Sequence, residues 1–269
     1  MRHKTKKINK ETKDKLPKIT NGQKQIIKHI YKFRFINTNQ FQKLFNHKDP
    51  TMVKEWLKDL KDKKYIDTDY KRKDMDKNRI SAKYFLTPLG RRFLKDEPGF
   101  DIDFLERVYK EKSRTDIFKN HCTEICDMYL FLLSRKEKDE ELKFFTESDL
   151  TKYYYFPEIE LDAYVVLQSG NKIRRFFLHI FKDSDPDWLP RQKLKKYIDY
   201  FNENTWQENT NNSPFPGLLF VLPSYRLKKH IFEYSRAVLE KAITVDIHLF
   251  LEAKQTIQSG SQKIWQEVK

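Results

Sequence analysis

A chain of 269 residues is long enough for two modest domains, and 38% apolar and 35% charged residues, with 21 Phe and 14 Tyr, supply real cores and exclude wholesale disorder. No stretch approaches the roughly 18 uncharged apolar residues of a membrane span, and no apolar signal segment follows the basic start MRHKTKKINK. The net charge of +15 is concentrated: residues 1–95 hold 28 Lys and Arg against 10 Asp and Glu, while residues 96–269 hold 26 against 29.

That segregation points to a polyanion-binding module joined to a near-neutral one. An AT-rich genome would explain many lysines, but less easily their confinement to one part of the chain. Cys122 and Cys126, the only cysteines, sit four apart in a helical pattern and form no disulfide framework. The expectation is a cytoplasmic, reduced protein.

Residues 1–18 are polar and Lys-rich, and read as a mobile basic arm. Residues 19–95 read as one DNA-binding domain. Thr20 and Gln23 form a capping box ahead of Ile26, Ile27 and Ile30, opening a first helix that ends near Arg34. Asn37 or Thr38 caps a second, with Phe41, Leu44 and Phe45. Asp49 suits the cap and Pro50 the first position of a third, whose apolar face is Val53, Trp56, Leu57 and Leu60. Two strands follow, one with Tyr65, Ile66 and Tyr70, the other with Ile80, Tyr84 and Phe85. Thr87-Pro88 then opens a fourth helix.

Three helices, a basic hairpin and a closing helix make a winged helix-turn-helix, whose third helix enters the major groove of double-stranded DNA. The candidates on that helix are Thr51, Lys54, Glu55 and Lys58 for base edges, with Lys61 alongside. The hairpin loop carries Lys71, Arg72, Lys73, Lys77 and Arg79, the wing against the DNA backbone. Winged helices also serve as protein-interaction modules; the charge favours DNA.

Lys95-Asp96-Glu97-Pro98-Gly99 marks a boundary, and residues 96–136 read as linking helices, about Asp101–Lys112 and Thr115–Arg135. These helices bridge the modules or form a dimer surface. His121, Cys122 and Cys126 are too few for a structural zinc site, which takes four ligands, and read as core or boundary residues.

Residues 137–269 alternate strands and helices. Strands are expected at Leu142–Phe145, Leu161–Leu167, Ile173–Phe181, Gly217–Pro223 and Ile243–Leu249, with a short one at Lys152–Phe156; helices are expected at Leu189–Tyr200 and Arg226–Lys241. Gln168–Asn171 makes the tight turn. Trp188 and Trp206 are expected to anchor a helix to the sheet, and Asn202–Ser213 to be loop. Tyr153, Tyr154 and Tyr155 invite comparison with a relaxase nucleophile, but the 7 histidines are scattered and packing is the simpler role. No nucleotide-binding glycine motif is present.

The opening TNGQKQIIKHIYKFRFINTNQFQKLF, the segment KYFLTPLGRRFL, the succession LDAYVVL, FFLHIFKD and QKLKKYIDYF, and the ending SGSQKIW together resemble the replication-relaxation family of plasmids and integrative elements. The resemblance implies a winged helix joined to a degraded restriction-endonuclease-like α/β domain, α+β overall. It also shows the departures. Asp162 stands at a nuclease metal position, but His179 stands where the family has glutamate, and Phe181 where it has aspartate or a nuclease has lysine. Mg²⁺-dependent hydrolysis needs more carboxylate oxygens and a group to help the water. The expectation is therefore a non-catalytic pseudo-nuclease, without cofactor or metal, that binds double-stranded DNA of a mobile genetic element. Its role would lie at a replication or conjugation origin or in transcription regulation. A homodimer is expected, and a relaxase or replication initiator is a possible partner. The alternatives are a Mg²⁺-dependent endonuclease and an adaptor recruiting such a partner.

Overall fold

The computed structural model describes residues 16–70, 81–151, 153–242, 245–259 and 265–268. The chain divides into two compact units between Thr123 and Glu124, so the expected linking segment 96–136 contributes to both. The fold is α+β, with two separate sheets.

In the first unit, α1 (Asn21–Phe33) opens on the expected capping box: Thr20 N–H donates to Gln23 Oε1 at 2.8 Å and Gln23 N–H to Thr20 Oγ1 at 3.3 Å. The device repeats between Asn37 and Gln40, both bonds 3.0 Å, where β1 (Ile36–Asn37) passes into α2 (Thr38–Leu44). At α3 (Thr51–Asp62) the cap lies one residue later than expected. Pro50 is the cap, its carbonyl accepting from Lys54 N–H at 2.9 Å. Asp49 stands outside, its carboxylate accepting from the N–H and hydroxyl of Thr51 at 2.9 and 2.7 Å, a local aspartate turn that satisfies the first helical donor.

β2 (Ile66–Asp69) and β3 (Lys83–Leu86) pair antiparallel, Ile66 opposite Leu86, and β1 joins β3 on its other edge. The strands are shorter than expected: Tyr65 precedes β2, Tyr70 follows it exposed, and Ile80 lies outside the described residues. α4 (Pro88–Lys95) starts as expected, with Thr87 capping Gly90 N–H at 3.2 Å. A Cβ on Gly90 would stand 2.2 Å from the Tyr65 carbonyl oxygen, so α4 reaches β2 this closely only because residue 90 has no side chain. Residues Leu16–Lys18 of the expected arm are described, and Pro17 is tied down: its carbonyl accepts from the Tyr65 hydroxyl at 2.6 Å.

The helix expected over Asp101–Lys112 is shorter. α5 (Ile102–Arg107) ends at Val108, and a 3-10 turn (Glu111–Ser113) follows before α6 (Asp116–Arg135). The break lets Glu111 turn inward to Arg34, 2.6 Å away, with both side chains almost sealed from solvent. Arg34, the C-cap of α1, sits at φ 65°, a positive φ that takes the chain out of the helix there.

The second unit is one sheet of six strands in chain order: β4 (Glu141–Phe145), β5 (Ala163–Ser169), β6 (Lys172–Ile180), β7 (Gly217–Leu222), β8 (Leu249–Ala253) and β9 (Gln266–Val268). β6, β7 and β8 run parallel; the remaining pairs are antiparallel. α7 (Glu147–Leu150) follows β4. The β5–β6 hairpin closes at Gly170-Asn171, with Gly170 at φ 55°, and Gln168 and Ser169 are still in strand. The crossover after β6 carries α8 (Leu189–Asn202) and α9 (Thr205–Asn209), and that after β7 carries α10 (Tyr225–Lys241). Their apolar residues Leu194, Tyr197, Trp206, Leu227 and Ile231 pack on Phe177, Leu218, Phe220 and Leu251. β7 is buried along its length, as a strand covered on both faces must be. α11 (Lys254–Gln258) follows β8.

Four expectations change here. No strand forms at Tyr153–Phe156; the chain turns, and Tyr155 and Phe156 set their rings against Trp206 at 6.0 and 5.9 Å. Asn202–Ser213 is not all loop, because burial of Trp206 at 2% exposure holds α9. Trp188, by contrast, is 57% exposed and anchors nothing in the core. The strand expected at Ile243–Leu249 lies later, at β8, where Leu249 pairs with Leu218; Ile243 and Thr244 lie outside the described residues.

Candidate functional site

In the first unit, α3 separates its faces cleanly. Val53, Leu57 and Leu60 are buried, and Trp56 is half-buried with its ring 5.7 Å from those of both Phe45 and His47. Thr51, Lys54, Glu55, Lys58 and Lys61 are all exposed. Helical spacing explains this: the apolar positions recur on one stripe, so the charged ones are left to water. Lys54 and Lys58 form no ion pair among the described residues. Lys61 donates to the Thr68 hydroxyl at 3.0 Å, and the Thr51 hydroxyl is committed to Asp49. Met52, absent from the sequence expectations, is 48% exposed beside Thr51. The expected wing residues Lys71, Arg72, Lys73, Lys77 and Arg79 lie outside the described residues.

α3 is held to α1 through Asp59, which accepts from Gln23 Nε2 at 2.5 Å and from Lys63 Nζ at 2.6 Å. Those bonds, Lys63 first, hold the Asp59 carboxyl below its usual range. Lys119, buried, donates to Asp69 at 2.8 Å and fixes α6 to β2.

In the second unit, Asp162, His179 and Phe181, the three residues expected at nuclease positions, lie at the start of β5 and the end of β6. Asp162 directly precedes β5. Its N–H donates to the Leu178 carbonyl at 3.2 Å and its Oδ2 accepts from Ile180 N–H at 2.6 Å. His179 is 1% exposed and Phe181 2% exposed. Both lie on the helix-covered face, with Phe220 against them at ring distances of 5.4 and 5.2 Å. His179 Nε2 is 2.8 Å from the Tyr197 hydroxyl, and Nδ1 is 3.2 Å from Lys193 Nζ. An ammonium has no acceptor, so Nδ1 accepts and the ring proton sits on Nε2, donating to Tyr197. Lys193 also donates to the Glu160 carbonyl at 2.6 Å. Burial pulls the Lys193 ammonium below its ordinary pKa, against the opposing pull of Asp162, Glu160 and Asp185. Burial pushes the Tyr197 phenol well up, so it remains protonated.

Asp185 does not supply a missing ligand: its Oδ2 accepts from Lys182 N–H at 2.9 Å, closing the turn after β6. Among the described residues no group of three or more His, Cys, Asp or Glu could hold a metal ion. Mg²⁺ requires an octahedron of oxygens, and this donor set does not fit it. One oxygen of Asp162 is engaged by the backbone, His179 offers nitrogen facing an ammonium, and Phe181 offers nothing.

The model of the family described as replication-relaxation matches residues 27–215, more than half of the chain. The chain belongs to the replication-relaxation family. No curated protein and no solved structure matches it. The family is associated with replication and relaxation functions of mobile elements. In this replication-relaxation protein the match covers α3 and the Asp162–His179–Lys193 cluster, but stops before β7, so the ending SGSQKIW lies outside it. Lys193 and Tyr197, which replace solvent around His179, were not among the expected site residues. Their signal is the four-residue spacing on α8, which puts both on one helix face.

Proposed function

We propose that the protein is a non-catalytic, double-stranded DNA-binding protein of a mobile genetic element, acting at an origin of replication or transfer or at a promoter of that element. The first unit has the element order of a winged helix-turn-helix: α1, β1, α2, α3, then the β2–β3 hairpin and α4. The observation that carries the reading is the outward lysine face of α3, where Lys54 and Lys58 form no ion pair among the described residues. Lysines held toward solvent on a helix braced by its apolar stripe are placed to meet phosphates, and Glu55 between them is placed to accept from a cytosine amine. The sheet and flanking helices of the second unit serve as a restriction-endonuclease-like scaffold without its chemistry, supported by the non-fitting donor set around Asp162. Two copies would present two α3 helices to two half-sites. A relaxase or replication initiator is a further partner of this reading.

The test is a titration of the full chain with duplex DNA at increasing salt, followed by footprinting on DNA of the element. Affinity should fall steeply and linearly on logarithmic axes as phosphate contacts are screened. Binding undiminished from low to high salt, or none at any salt, would remove the reading. Incubation of supercoiled DNA with Mg²⁺ or Mn²⁺ should leave it intact; cleavage lost in Asp162→Ala would establish the endonuclease instead.

A further inference from the structure

Two of the three adjacent tyrosines, Tyr154 and Tyr155, wall a cleft. The chain turns through Tyr153–Phe156, and with the last turn of α8 it borders an open space of about 460 Å³. Both walls are fixed. The Tyr200 hydroxyl, on α8, donates to the Tyr155 carbonyl, and the Tyr154 hydroxyl donates to Asn209 Oδ1 at 2.9 Å. Tyr154 is nevertheless 89% exposed, so most of its ring is open to solvent.

The charge of this cleft is opposite to that of the chain. Glu158 lines it from the loop, and Asp199 and Glu203, one helical turn apart, line it from the end of α8; Lys196 is the one basic residue beside them. None of the three carboxylates makes an ion pair or a side-chain hydrogen bond among the described residues. Asp199 and Glu203 stand at the C-terminal end of α8, the negative end of the helix dipole, and no basic residue occupies that last turn. Carboxylates are disfavoured there. All three are exposed, so the packing of the unit does not require them, and a cation brought by a ligand would relieve the repulsion.

We propose that this cleft binds an arginine-bearing, extended segment of a partner protein, with a guanidinium against the Tyr154 ring and Glu158, Asp199 and Glu203 as its counter-charges. A guanidinium stacks on an aromatic face and donates two parallel N–H bonds to a carboxylate, which an ammonium does not do. The carboxylates are spread over two walls rather than gathered at one point, which suits cations spaced along a chain better than a single ion. The same charges repel DNA, and the net charge of +15 disfavours a basic peptide over the molecule as a whole, so its binding must be local. The inference does not depend on DNA binding by the first unit.

The experiment follows the fluorescence anisotropy of labelled Arg-Gly and Lys-Gly repeat peptides, equal in length, as full-length protein is added at low salt. The Arg-Gly peptide should bind at one site per chain, tighter than the Lys-Gly peptide, and weaken as salt rises. Glu203→Gln should weaken it about tenfold, the loss of one charge-assisted bond, and Tyr154→Leu about threefold. Lys196→Gln, which removes the competing charge, should tighten it. All three changes are at exposed positions, and the thermal midpoint should not move. A native protein that binds neither peptide, or variants that bind as the native protein does, overturns the proposal. So does full displacement by spermidine at matching charge, which would make the cleft a polyamine site. Peptide binding intact in a protein that binds no duplex DNA would remove the DNA-binding reading and leave this one standing.

Discussion

The carboxylate of Asp162 accepts a hydrogen bond from the backbone N–H of Ile180 at 2.6 Å, tying the start of β5 to the end of β6. The residue expected at a metal position is here a clasp between strands. An N–H bonded to a charged acceptor is worth about 1.5–3 kcal/mol. Asp162→Ala should therefore lower the unfolding free energy from denaturant titration by that order, and Asp162→Asn, which keeps an acceptor oxygen, by less. A loss of DNA affinity without a loss of stability would show that Asp162 does something other than clasp.

Arg34 and Glu111 make the corresponding clasp in the first unit, 2.6 Å apart and 77 positions apart in the chain. Removing one partner strands a charge in a place water barely reaches. Glu111→Ala should cost about 3–5 kcal/mol, whereas a double change of Arg34 and Glu111 to apolar residues should cost distinctly less than the sum of the singles. Equal and additive losses in a denaturation cycle would mean that the two side chains are not coupled.

These two clasps mark the boundary of what sequence discloses. The capping box at Thr20 was legible because cap and partner lie three residues apart, and the face of α3 because its period is local, while for α2 the cap was left between Asn37 and Thr38. The site residues Asp162, His179 and Phe181 were legible as positions along two strands. The neighbours of His179 were not: Lys193 and Tyr197 arrive from a different element, and only the packing of α8 on the sheet brings them to it. The run at Tyr153–Phe156 misled for the converse reason. Its aromatic residues have strand propensity, but burying Tyr155 and Phe156 against Trp206 outweighs it. Glu111 interrupts an otherwise helical pattern for a partner that no local signal announces.

His29 gives the first unit an acid-sensitive group. Its pKa is pulled down to about 4, first by burial and then by Lys32, while its ring meets Phe45 edge-on at 5.8 Å. In the unfolded chain a histidine titrates near about 6.5. Between those values the unfolded state takes up a proton that the folded state refuses, so stability is complete above about 6.5 and drains away as pH falls toward about 4. Denaturation curves from pH 7 to pH 4 should show the midpoint falling, and His29→Phe should flatten that part of the profile. An unchanged slope in the variant would assign the acid sensitivity to other groups.

Met52 supplies the last expectation. It stands 48% exposed in the first turn of α3, next to Thr51, whose hydroxyl is already spent on Asp49. On the proposed DNA-binding reading, a flexible apolar side chain held in water near the start of α3 has one natural partner on a base edge, the methyl group of thymine. Covering one methyl is worth about 0.8 kcal/mol, or roughly fourfold in affinity. Once footprinting gives a site, replacing each thymine in turn by deoxyuridine should weaken the native protein by about that factor at one position and leave Met52→Ala indifferent there. Lys58→Ala should behave differently. It should weaken every duplex alike and reduce the salt slope by about one phosphate contact. If native protein and Met52→Ala respond identically to every thymine replacement, Met52 reads no base, and the specificity of α3 must come from Glu55 and Lys54.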